Sequence, residues 1–562
     1  MWLKKVLLLL SLVSFSACAM QQINPPEARL LPQEAYYNFL VGYNAEKDGR
    51  WEDAIGAYRK ALEYDPSSPY LKTEISSMLL RLGKVSEALS SAEEIVRSSP
   101  EYVPALMLVG ELYNGQKKTD DAIQIYKKVI SLEPDNQGAA LFLGLLYASK
   151  KEYDDARAVL SGLVEKYPDN IMGLYYLGSL LMEKGDVDEA AKYFQLTLDQ
   201  RPNFDPAYYN LGIISEQKGN TKEAIDYYNK AIAINPHNLQ ARERLGQVYF
   251  KQKDTGKAIE QYKEISTLAP VNIDVHMNLG ILYFDNGQYV KAVEEFRLVL
   301  ESRPDNVSMR YYLAVALEEL DRNEEAISEL KKVIQMDPKN VSAFLQLGLT
   351  YAKLNRDDDA IAVYEEILSF SKEKPEVYLY LSAIYLHKRD YQKAEAVLRD
   401  GLGRFPDDDD LNFNLAIVLE KTGRFDEMIK YLNRTIEINP ENSDALNFLG
   451  YTYADKGIHL EEALTLIKKA LDLKPESGYI MDSLGWTYYK LGRNKDALDM
   501  LLHAAEKVKD DPVVLEHIGD VYKSMGMKGK AREYWERSVG SKVKSEEEGQ
   551  KERVEKKLID LK

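Results

Sequence analysis

The sequence predicts an all-α fold, a right-handed superhelical solenoid of about fifteen helix pairs. Two observations predict this fold. First, small residues and prolines recur at a fixed step of 34 positions, at Gly144, Ala156 and Pro168 and then at Gly178, Ala190 and Pro202. The same step continues through residues 212, 246 and 280. Second, 45% of the 562 residues are hydrophobic and 29% are charged, which is enough apolar surface for a continuous core. In a repeat array each unit packs only on its neighbours, so this length does not require several globular domains.

The first residues of the chain are typical of a secretion signal. Lys4 and Lys5 precede an apolar run, Val6 to Ala17, which is too short to span a bilayer well. The run ends at Cys18, the only cysteine in the sequence. This ending resembles the bacterial lipoprotein box, in which the cysteine is lipidated and becomes the new N-terminus. The alternative is ordinary cleavage after Ala19, with Ala17-Cys18-Ala19 as an A-x-A site.

We therefore expect a signal peptide over residues 1–17, followed by a lipidated N-terminus and tether over residues 18–34. Three prolines in the tether, Pro25, Pro26 and Pro32, favour a semi-extended chain. Residue 19 is alanine and not aspartate. By resemblance to Gram-negative lipoproteins, this implies the outer membrane, on its periplasmic face. The alternative location is soluble, in the periplasm or outside the cell.

The repeat array is predicted to cover residues 35–545. Repeats start near residues 35, 69, 103, 137, 171, 205, 239, 273, 307, 341, 375, 409, 443, 478 and 512, with one extra residue near Gly457. A small residue at repeat position 8, a bulky one at position 24 and proline at position 32 accompany alanine at position 20. Met428 is the one exception to that alanine. This pattern resembles the tetratricopeptide repeat, and the resemblance covers nearly the whole chain after the leader.

Each repeat position has a physical reason. Two helices cross closely only where their side chains are small, so glycine or alanine is expected at positions 8 and 20. The bulky residue at position 24, such as Tyr228 or Phe296, fills the space that remains. Proline at position 32 cannot continue the second helix. The tail, residues 546–562, keeps Val554, Leu558 and Leu561 on helical spacing and is predicted to be a capping helix.

Composition and motifs argue against several other functions. The net charge of −17 counts against nucleic acid as the main partner. We find no catalytic motif, no cysteine-based metal site and no phosphate loop, and so expect no enzyme activity, cofactor, metal or small-molecule substrate. The run Asp407–Asp410 could suggest calcium. It lacks the glycine and the distal glutamate of an EF-hand, and is better interpreted as a helix N-terminus.

The resemblance implies a concave groove lined by the first helices, at repeat positions 2, 5, 9, 12 and 13. In the middle repeats this wall is unusually apolar and aromatic, which is typical of a partner site. The alternative is that some of these side chains simply pack on neighbouring repeats. The groove residues predicted in this way are Tyr175, Tyr209, Ile213, Glu243, Gln247, Phe250, Met277, Ile281, Phe284 and Tyr311.

Some members of the family bind a chaperone's C-terminal carboxylate with a set of Lys, Asn and Arg residues. Only Asn210 and Arg244 match that set here, so we expect no chaperone-tail binding. The last two repeats carry the residues Asp482, Trp486, His517 and Trp535, which lie outside the repeat consensus. These repeats are similar to the C-terminal pair in bacterial outer-membrane lipoproteins that act as adaptors for a carboxy-terminal processing protease.

Three functions follow as hypotheses. The leading one is a lipid-anchored periplasmic scaffold or adaptor that gathers an envelope protease, a cell-wall hydrolase or assembly machinery. The second is a structural subunit of a polysaccharide or pilus export complex. The third is an enzyme that carries these repeats, such as a glycosyltransferase, but the repeats leave no room for a separate catalytic domain.

Overall fold

The computed structural model describes residues 32–543 and 549–561, and this part of the chain is helical throughout with no strand. The signal peptide and nearly all of the predicted tether, including Cys18, lie outside these residues. The helices are α1 (Gln33–Lys47), α2 (Trp51–Tyr64), α3 (Pro69–Arg81), α4 (Val85–Ser98), α5 (Val103–Gly115), α6 (Thr119–Leu132), α7 (Gln137–Ser149), α8 (Tyr153–Lys166), α9 (Ile171–Lys184), α10 (Val187–Gln200), α11 (Asp205–Gln217), α12 (Thr221–Ile234), α13 (Leu239–Lys251), α14 (Thr255–Leu268), α15 (Ile273–Asp285), α16 (Tyr289–Ser302), α17 (Val307–Glu319), α18 (Asn323–Met336), α19 (Val341–Lys353), α20 (Asp357–Phe370), α21 (Pro375–His387), α22 (Tyr391–Arg404), α23 (Asp409–Lys421), α24 (Phe425–Ile438), α25 (Ser443–Lys456), α26 (Leu460–Leu473), α27 (Gly478–Lys490), α28 (Asn494–Lys507), α29 (Pro512–Ser524), α30 (Lys528–Gly540) and α31 (Gln550–Asp560).

The helices α1 to α30 form fifteen pairs, one for each predicted repeat, so the predicted all-helical stack is confirmed. Odd-numbered helices up to α29 are the first helices of the repeats, and even-numbered helices are the second. The chain divides into two compact units, Met1–Val275 and His276–Lys562. The boundary falls within α15, so the first unit holds repeats 1 to 7 and the start of α15, and the second holds the rest of repeat 8, including α16, and repeats 9 to 15.

The two helices of a repeat meet most closely where the sequence places its small residues. In repeat 6, a Cβ added to Gly212 would lie 2.5 Å from Cε1 of Tyr228. Ala224 and Tyr228, on the facing second helix, are both fully buried. The glycine and the aromatic ring therefore occupy one shared space, as the repeat pattern predicted.

Local signals in the sequence start and end these helices. Several first helices follow an asparagine whose side chain accepts a hydrogen bond from the backbone N–H three residues later, as Asn170 does from Gly173 and Asn340 from Ala343. First helices end at a residue in the left-handed region, which is Gly219 in repeat 6 and Asn355 in repeat 10. In repeat 13 the extra residue makes a wider turn, and His459 is also left-handed.

Packing between repeats is uneven within each unit. The second helix of one repeat packs on the first helix of the next, as α6 does on α7 and α22 on α23. Neighbouring first helices also touch, as in α3 with α5, α7 with α9, α21 with α23 and α25 with α27. Second helices of successive repeats make no comparable contact in the described part of the chain. The first helices therefore lie on the inner side of these local stacks.

The helix α31 covers α30, the second helix of repeat 15. Val554 and Leu561 are buried against this repeat, while Lys551, Glu552, Glu555 and Lys556 are exposed. The helix thus presents one apolar side to the array and a charged side to solvent. In the described residues, no helix is both long and apolar enough to cross a membrane.

Candidate functional site

The predicted groove residues of the first unit differ in how far they reach the surface. Tyr175 is buried: its ring meets Phe204 edge-on at 5.1 Å, and Asn210 Nδ2 lies 3.4 Å from its hydroxyl. Tyr209 is also buried. Ile213 and Gln247 are half-buried, and Glu243 and Phe250 are exposed. The two tyrosines therefore build the floor of this inner surface, and the other residues are the ones a partner could touch.

A polar centre lies on the inner side of repeats 6 and 7. The Tyr228 hydroxyl donates to Glu216 Oε2 at 2.5 Å, and the Arg244 guanidinium is 3.9 Å from the same oxygen. Burial, followed by the hydrogen bond with Glu216, raises the pKa of Tyr228, so its hydroxyl stays protonated. Asn210 is buried and Arg244 is engaged with Glu216. These two residues, the matches to the chaperone clamp, thus have partners within the chain.

An acidic inner surface in the first three repeats was not predicted from the sequence. Burial and then the carboxylate of Glu46 raise the pKa of Glu74 to about 7, while Arg81 opposes the shift. Burial likewise raises the pKa of Glu111, and the charge of Arg81 again opposes this shift. Glutamates on three successive first helices are visible in the sequence. Their shared environment depends on how those helices stack.

In the second unit, the predicted groove residues Met277, Ile281, Phe284 and Tyr311 are all half-buried. The ring of Phe284 meets the ring of Tyr312 edge-on, with centroids 5.6 Å apart. These residues occupy the inner side of the first helices of repeats 8 and 9, so they combine packing with a partly exposed apolar surface.

The same apolar surface continues beyond the predicted residues, through repeats 10 to 12. Repeat positions 5, 9 and 12 are half-buried and apolar at six further places in α19, α21 and α23. We call this set, with Met277, Ile281, Phe284 and Tyr311, the apolar wall. The six added members are Leu345, Leu349, Leu379, Leu386, Phe413 and Ile417. The repeat frame alone could have identified them, because they share the positions of the residues predicted earlier.

A buried polar cluster lies in repeats 14 and 15. His517 Nδ1 is 2.9 Å from Asp482 Oδ1, and the imidazole stacks on Trp486 with centroids 4.0 Å apart. Burial opposes a charge on His517. Asp482, followed by Asp520 and Glu516, outweighs burial and raises the pKa of the imidazole. Three residues singled out from the sequence are thus brought together, although His517 follows Asp482 by 35 positions along the chain.

The cluster continues into the capping helix. Glu516 accepts hydrogen bonds from Gln550 Nε2 and from Arg553 Nε, at 2.9 and 2.7 Å. Lys557 Nζ donates to Glu516 at 2.7 Å and to Asp520 at 2.5 Å. Trp535 Nε1, the fourth residue singled out, donates to Asp520 Oδ1 at 3.1 Å. Burial opposes ionisation of Glu516, but Arg553 and Lys557 outweigh it and lower its pKa to about 2.

The acidic run of repeat 12 behaves as a helix start. The Asp408 carboxylate accepts the backbone N–H of Leu411 and caps α23, and Asp409 accepts from the side chain of Asn439 at 2.7 Å. Within residues 32–543 and 549–561, no group of three or more His, Cys, Asp or Glu residues is placed to hold a metal ion.

Comparisons with known proteins agree with this architecture. Seven segments of the chain match families described as tetratricopeptide repeat. They are residues 39–103, 73–136, 113–174, 173–203, 206–238, 385–450 and 478–509. Residues 246–287 match one described as TPR repeat, and residues 282–400 match the N-terminal TPR repeats region of Psidin. A TPR repeat-containing protein of Pseudomonas aeruginosa is 25% identical over 143 residues. That match spans 25% of this chain and 18% of the relative's length.

Among solved structures, a tetratricopeptide repeat protein from Parabacteroides merdae is similar at 18% identity with a TM-score of 0.37. It covers 45% of this chain and 99% of its own. The structure of Naa15/Naa10 bound to HypK is similar at 14% identity with a TM-score of 0.34, covering 94% of this chain and 100% of its own. With the family matches and the fifteen helix pairs together, the chain is a tetratricopeptide-repeat protein.

Proposed function

We propose that this chain is a non-enzymatic, lipid-anchored adaptor that holds other proteins against the apolar wall of repeats 8 to 12. The observation that carries the proposal is the continuity of the wall: half-buried apolar side chains occupy the same positions of five successive first helices. A large partly exposed apolar surface is typical of a partner site. Charged groups at its edge, such as Glu318 and Glu420, would add specificity for the partner more than affinity.

The anchor and the location belong to the same proposal. Cys18, the single cysteine of the chain, ends an apolar leader, and Ala19 follows it. We infer lipidation at Cys18 and residence on the periplasmic face of the outer membrane. Cys18→Ser is expected to move the chain from the membrane fraction to the soluble fraction. Ordinary cleavage after Ala19 would leave the fractionation unchanged by this substitution.

The partner class proposed is an envelope protease, a cell-wall hydrolase or assembly machinery. The support for a protease is the likeness of repeats 14 and 15 to those of protease-adaptor lipoproteins, including Asp482, Trp486 and His517. The alternative is a structural subunit of a polysaccharide or pilus export complex. The identity of the captured partner separates the two possibilities.

Site-specific photocrosslinking in intact cells tests the wall. A crosslinking residue at Leu349, on the inner side of repeat 10, is expected to capture one or a few envelope proteins reproducibly. The matched control is Glu366, an exposed residue on the second helix of the same repeat. Leu379→Glu should abolish the crosslinks from position 349 while the helical content is retained. Equal capture from both positions, or none from either, would refute the proposal.

A further inference from the structure

One buried hydroxyl beneath the apolar wall has no hydrogen-bond partner among the described residues. It belongs to Tyr364, at repeat position 24 in the second helix of repeat 10, and this residue is fully buried. Burial raises the pKa of Tyr364, so the hydroxyl keeps its proton and can donate. A buried donor without an acceptor destabilises the fold, and such groups are rare in native proteins.

Two other repeats show which group a hydroxyl at position 24 binds. The Tyr58 hydroxyl donates to Glu46 Oε2 at 2.9 Å, and the Tyr228 hydroxyl donates to Glu216 Oε2 at 2.5 Å. Both tyrosines are fully buried, whereas both glutamates, at repeat position 12 of the first helix, are half-buried. The hydroxyl therefore lies one side chain below the inner surface, and its acceptor in these repeats is a carboxylate.

Repeat 10 has the tyrosine but lacks the glutamate. Its position 12 is Ala352, whose methyl group cannot accept a hydrogen bond. The ring of Tyr364 is nevertheless placed as in repeat 6, because a Cβ added to Gly348 would lie 2.5 Å from its Cε1 atom, the same distance as in repeat 6. The nearest ring of the next repeat is Tyr380, with its centroid 5.9 Å away, and this side chain is 37% exposed. Repeat 10 thus supplies the donor without the acceptor.

The charges along the wall are least unfavourable to an acidic group at this place. At the inward positions 5, 6, 9, 12 and 13, repeats 10 and 11 carry Lys353 and His387 and no acid. Each of the two is paired with an aspartate of the chain. The flanking repeats 9 and 12 have Glu318, Glu319 and Glu420 at these positions. A carboxylate is therefore repelled less at repeats 10 and 11 than at the repeats on either side.

We propose that the apolar wall binds a segment of a partner protein whose single acidic side chain accepts a hydrogen bond from the Tyr364 hydroxyl. This proposal rests on the proposed function, since the segment occupies the same wall, and it adds the chemistry of the ligand. The wall continues on both sides of repeat 10, so apolar residues of the segment flank the Asp or Glu. The carboxylate lies beside Ala352, and the ring of Tyr380 turns outward to admit it.

Ala352→Glu tests the geometry within the chain. It gives the hydroxyl the acceptor that repeats 1 and 6 have, so it should raise the midpoint of urea unfolding in the natural chain and not in a Tyr364→Phe chain. The matched control is Ala383→Glu, which adds the same charge at an exposed inward position of repeat 11. The control should have the same effect in both backgrounds. If Ala352→Glu also acted equally in both, the hydroxyl would not face this position and the proposal would be overturned.

Peptides selected from a phage-displayed random library test the ligand, on the chain from residue 18 onward with Cys18→Ser to prevent lipidation. Peptides that no longer bind the Leu379→Glu chain are wall binders, and we expect them to share one Asp or Glu between apolar residues. Replacing that residue by Asn or Gln, or Tyr364→Phe in the chain, should each lower the affinity about tenfold or more. Both changes together should lower it no further. The control is Tyr378→Phe, which removes another buried unpaired hydroxyl, on a ring that packs against Gly401 of the second helix, and should leave the affinity unchanged.

The results distinguish the ligand from the wall itself. Wall-binding peptides without an acid, or with the same affinity for the Tyr364→Phe chain, would overturn the acidic ligand and leave the wall as a partner site. A library that yields no peptide sensitive to Leu379→Glu would overturn both.

Discussion

At the scale of single residues, the fold depends on one space that a glycine leaves and an aromatic ring fills. Gly212 and Tyr228 illustrate it, since a Cβ on Gly212 would lie only 2.5 Å from the ring. Because Tyr228 is fully buried, its ring can shift only if its neighbours move too. The repeat position therefore tolerates very little change in volume.

Gly212→Ala is expected to destabilise repeat 6 by about 1–3 kcal/mol through overpacking. The matched control is Gly162→Ala in α8, where a Cβ would meet nothing within 4 Å. That control should stabilise its helix by about 0.5–1 kcal/mol, because alanine loses less backbone entropy than glycine. Urea unfolding followed by circular dichroism measures both. Equal effects of the two substitutions would contradict the packing interpretation.

Two tyrosines at repeat position 24 offer a second comparison. The hydroxyl of Tyr364 is buried and has no hydrogen-bond partner among the described residues, whereas that of Tyr228 donates to Glu216. Tyr364→Phe should be neutral or stabilising, since it removes an unsatisfied polar group. Tyr228→Phe should destabilise by about 1.5–3 kcal/mol, the value of a hydrogen bond to a charged group. Urea unfolding measures the stability of both variants. A larger loss of stability for Tyr364→Phe than for Tyr228→Phe would contradict this expectation.

His517 should make the stability of repeats 14 and 15 depend on pH. Its folded pKa is raised above the ordinary 6.5, by Asp482 against the opposing effect of burial. The charged imidazole therefore stabilises the fold fully below that ordinary value, and the contribution disappears as pH rises through the folded pKa. Thermal unfolding measured at increasing pH, starting below the ordinary value, should show this loss. His517→Gln should flatten that part of the profile, and an unchanged profile in the variant would exclude His517 as the cause.

At the scale of elements, α31 is attached by charge as much as by apolar contact. Glu516, almost fully buried, binds Gln550, Arg553 and Lys557 of this helix. A carboxylate in this setting needs all of its partners, because removing either side leaves a buried charge unpaired. The helix and the glutamate therefore stabilise each other.

Glu516→Gln should release α31, because Arg553 and Lys557 would lose their buried counter-charge, at a cost of about 3–5 kcal/mol. Hydrogen exchange of residues 550–560 should then accelerate while α27 and α28 stay protected. Acid should act in the same way. The stabilisation is present above the ordinary pKa of 4.5 and is lost as pH falls towards the folded pKa of about 2. Glu533→Gln, at an exposed position on α30, is the control and should leave the exchange unchanged.

At the scale of the whole molecule, stability is a sum over repeats and their neighbours. Each helix packs on the helices next to it in the chain, so a lesion should spread only a short way. This is the behaviour of a linear array and differs from the all-or-none unfolding of a small globular domain.

Ala224→Trp places a large ring where Ala224 is fully buried, and should unfold repeat 6 and its immediate neighbours. Repeats 1 and 2 and repeats 14 and 15 should remain helical, as hydrogen exchange of residues 51–98 and 478–540 would show. Lys222→Trp, two residues away and exposed, is the control and should have little effect. Loss of protection along the entire chain would contradict the additive description.

The sequence by itself determined the helix pairs, their number and the residues that pack inside them. It could do so because each repeat packs on units next to it in the chain, and a step of 34 residues encodes those contacts locally. The resemblance to the repeat family implied which first-helix positions face inward, and it placed Phe250, Met277 and Phe284 among the predicted groove residues. Applied to repeats 10 to 12, it would also have identified Leu345, Leu379 and Phe413.

Only the tertiary structure decided which of those positions remain accessible. Tyr175 and Phe250 share an inward register, yet one is buried and the other exposed, because exposure depends on the side chains that neighbouring repeats supply. The pairing of His517 with Asp482 and the binding of α31 by Glu516 have the same origin. Each is set by the side chains that a neighbouring element supplies, and a pattern within a single repeat does not contain that information.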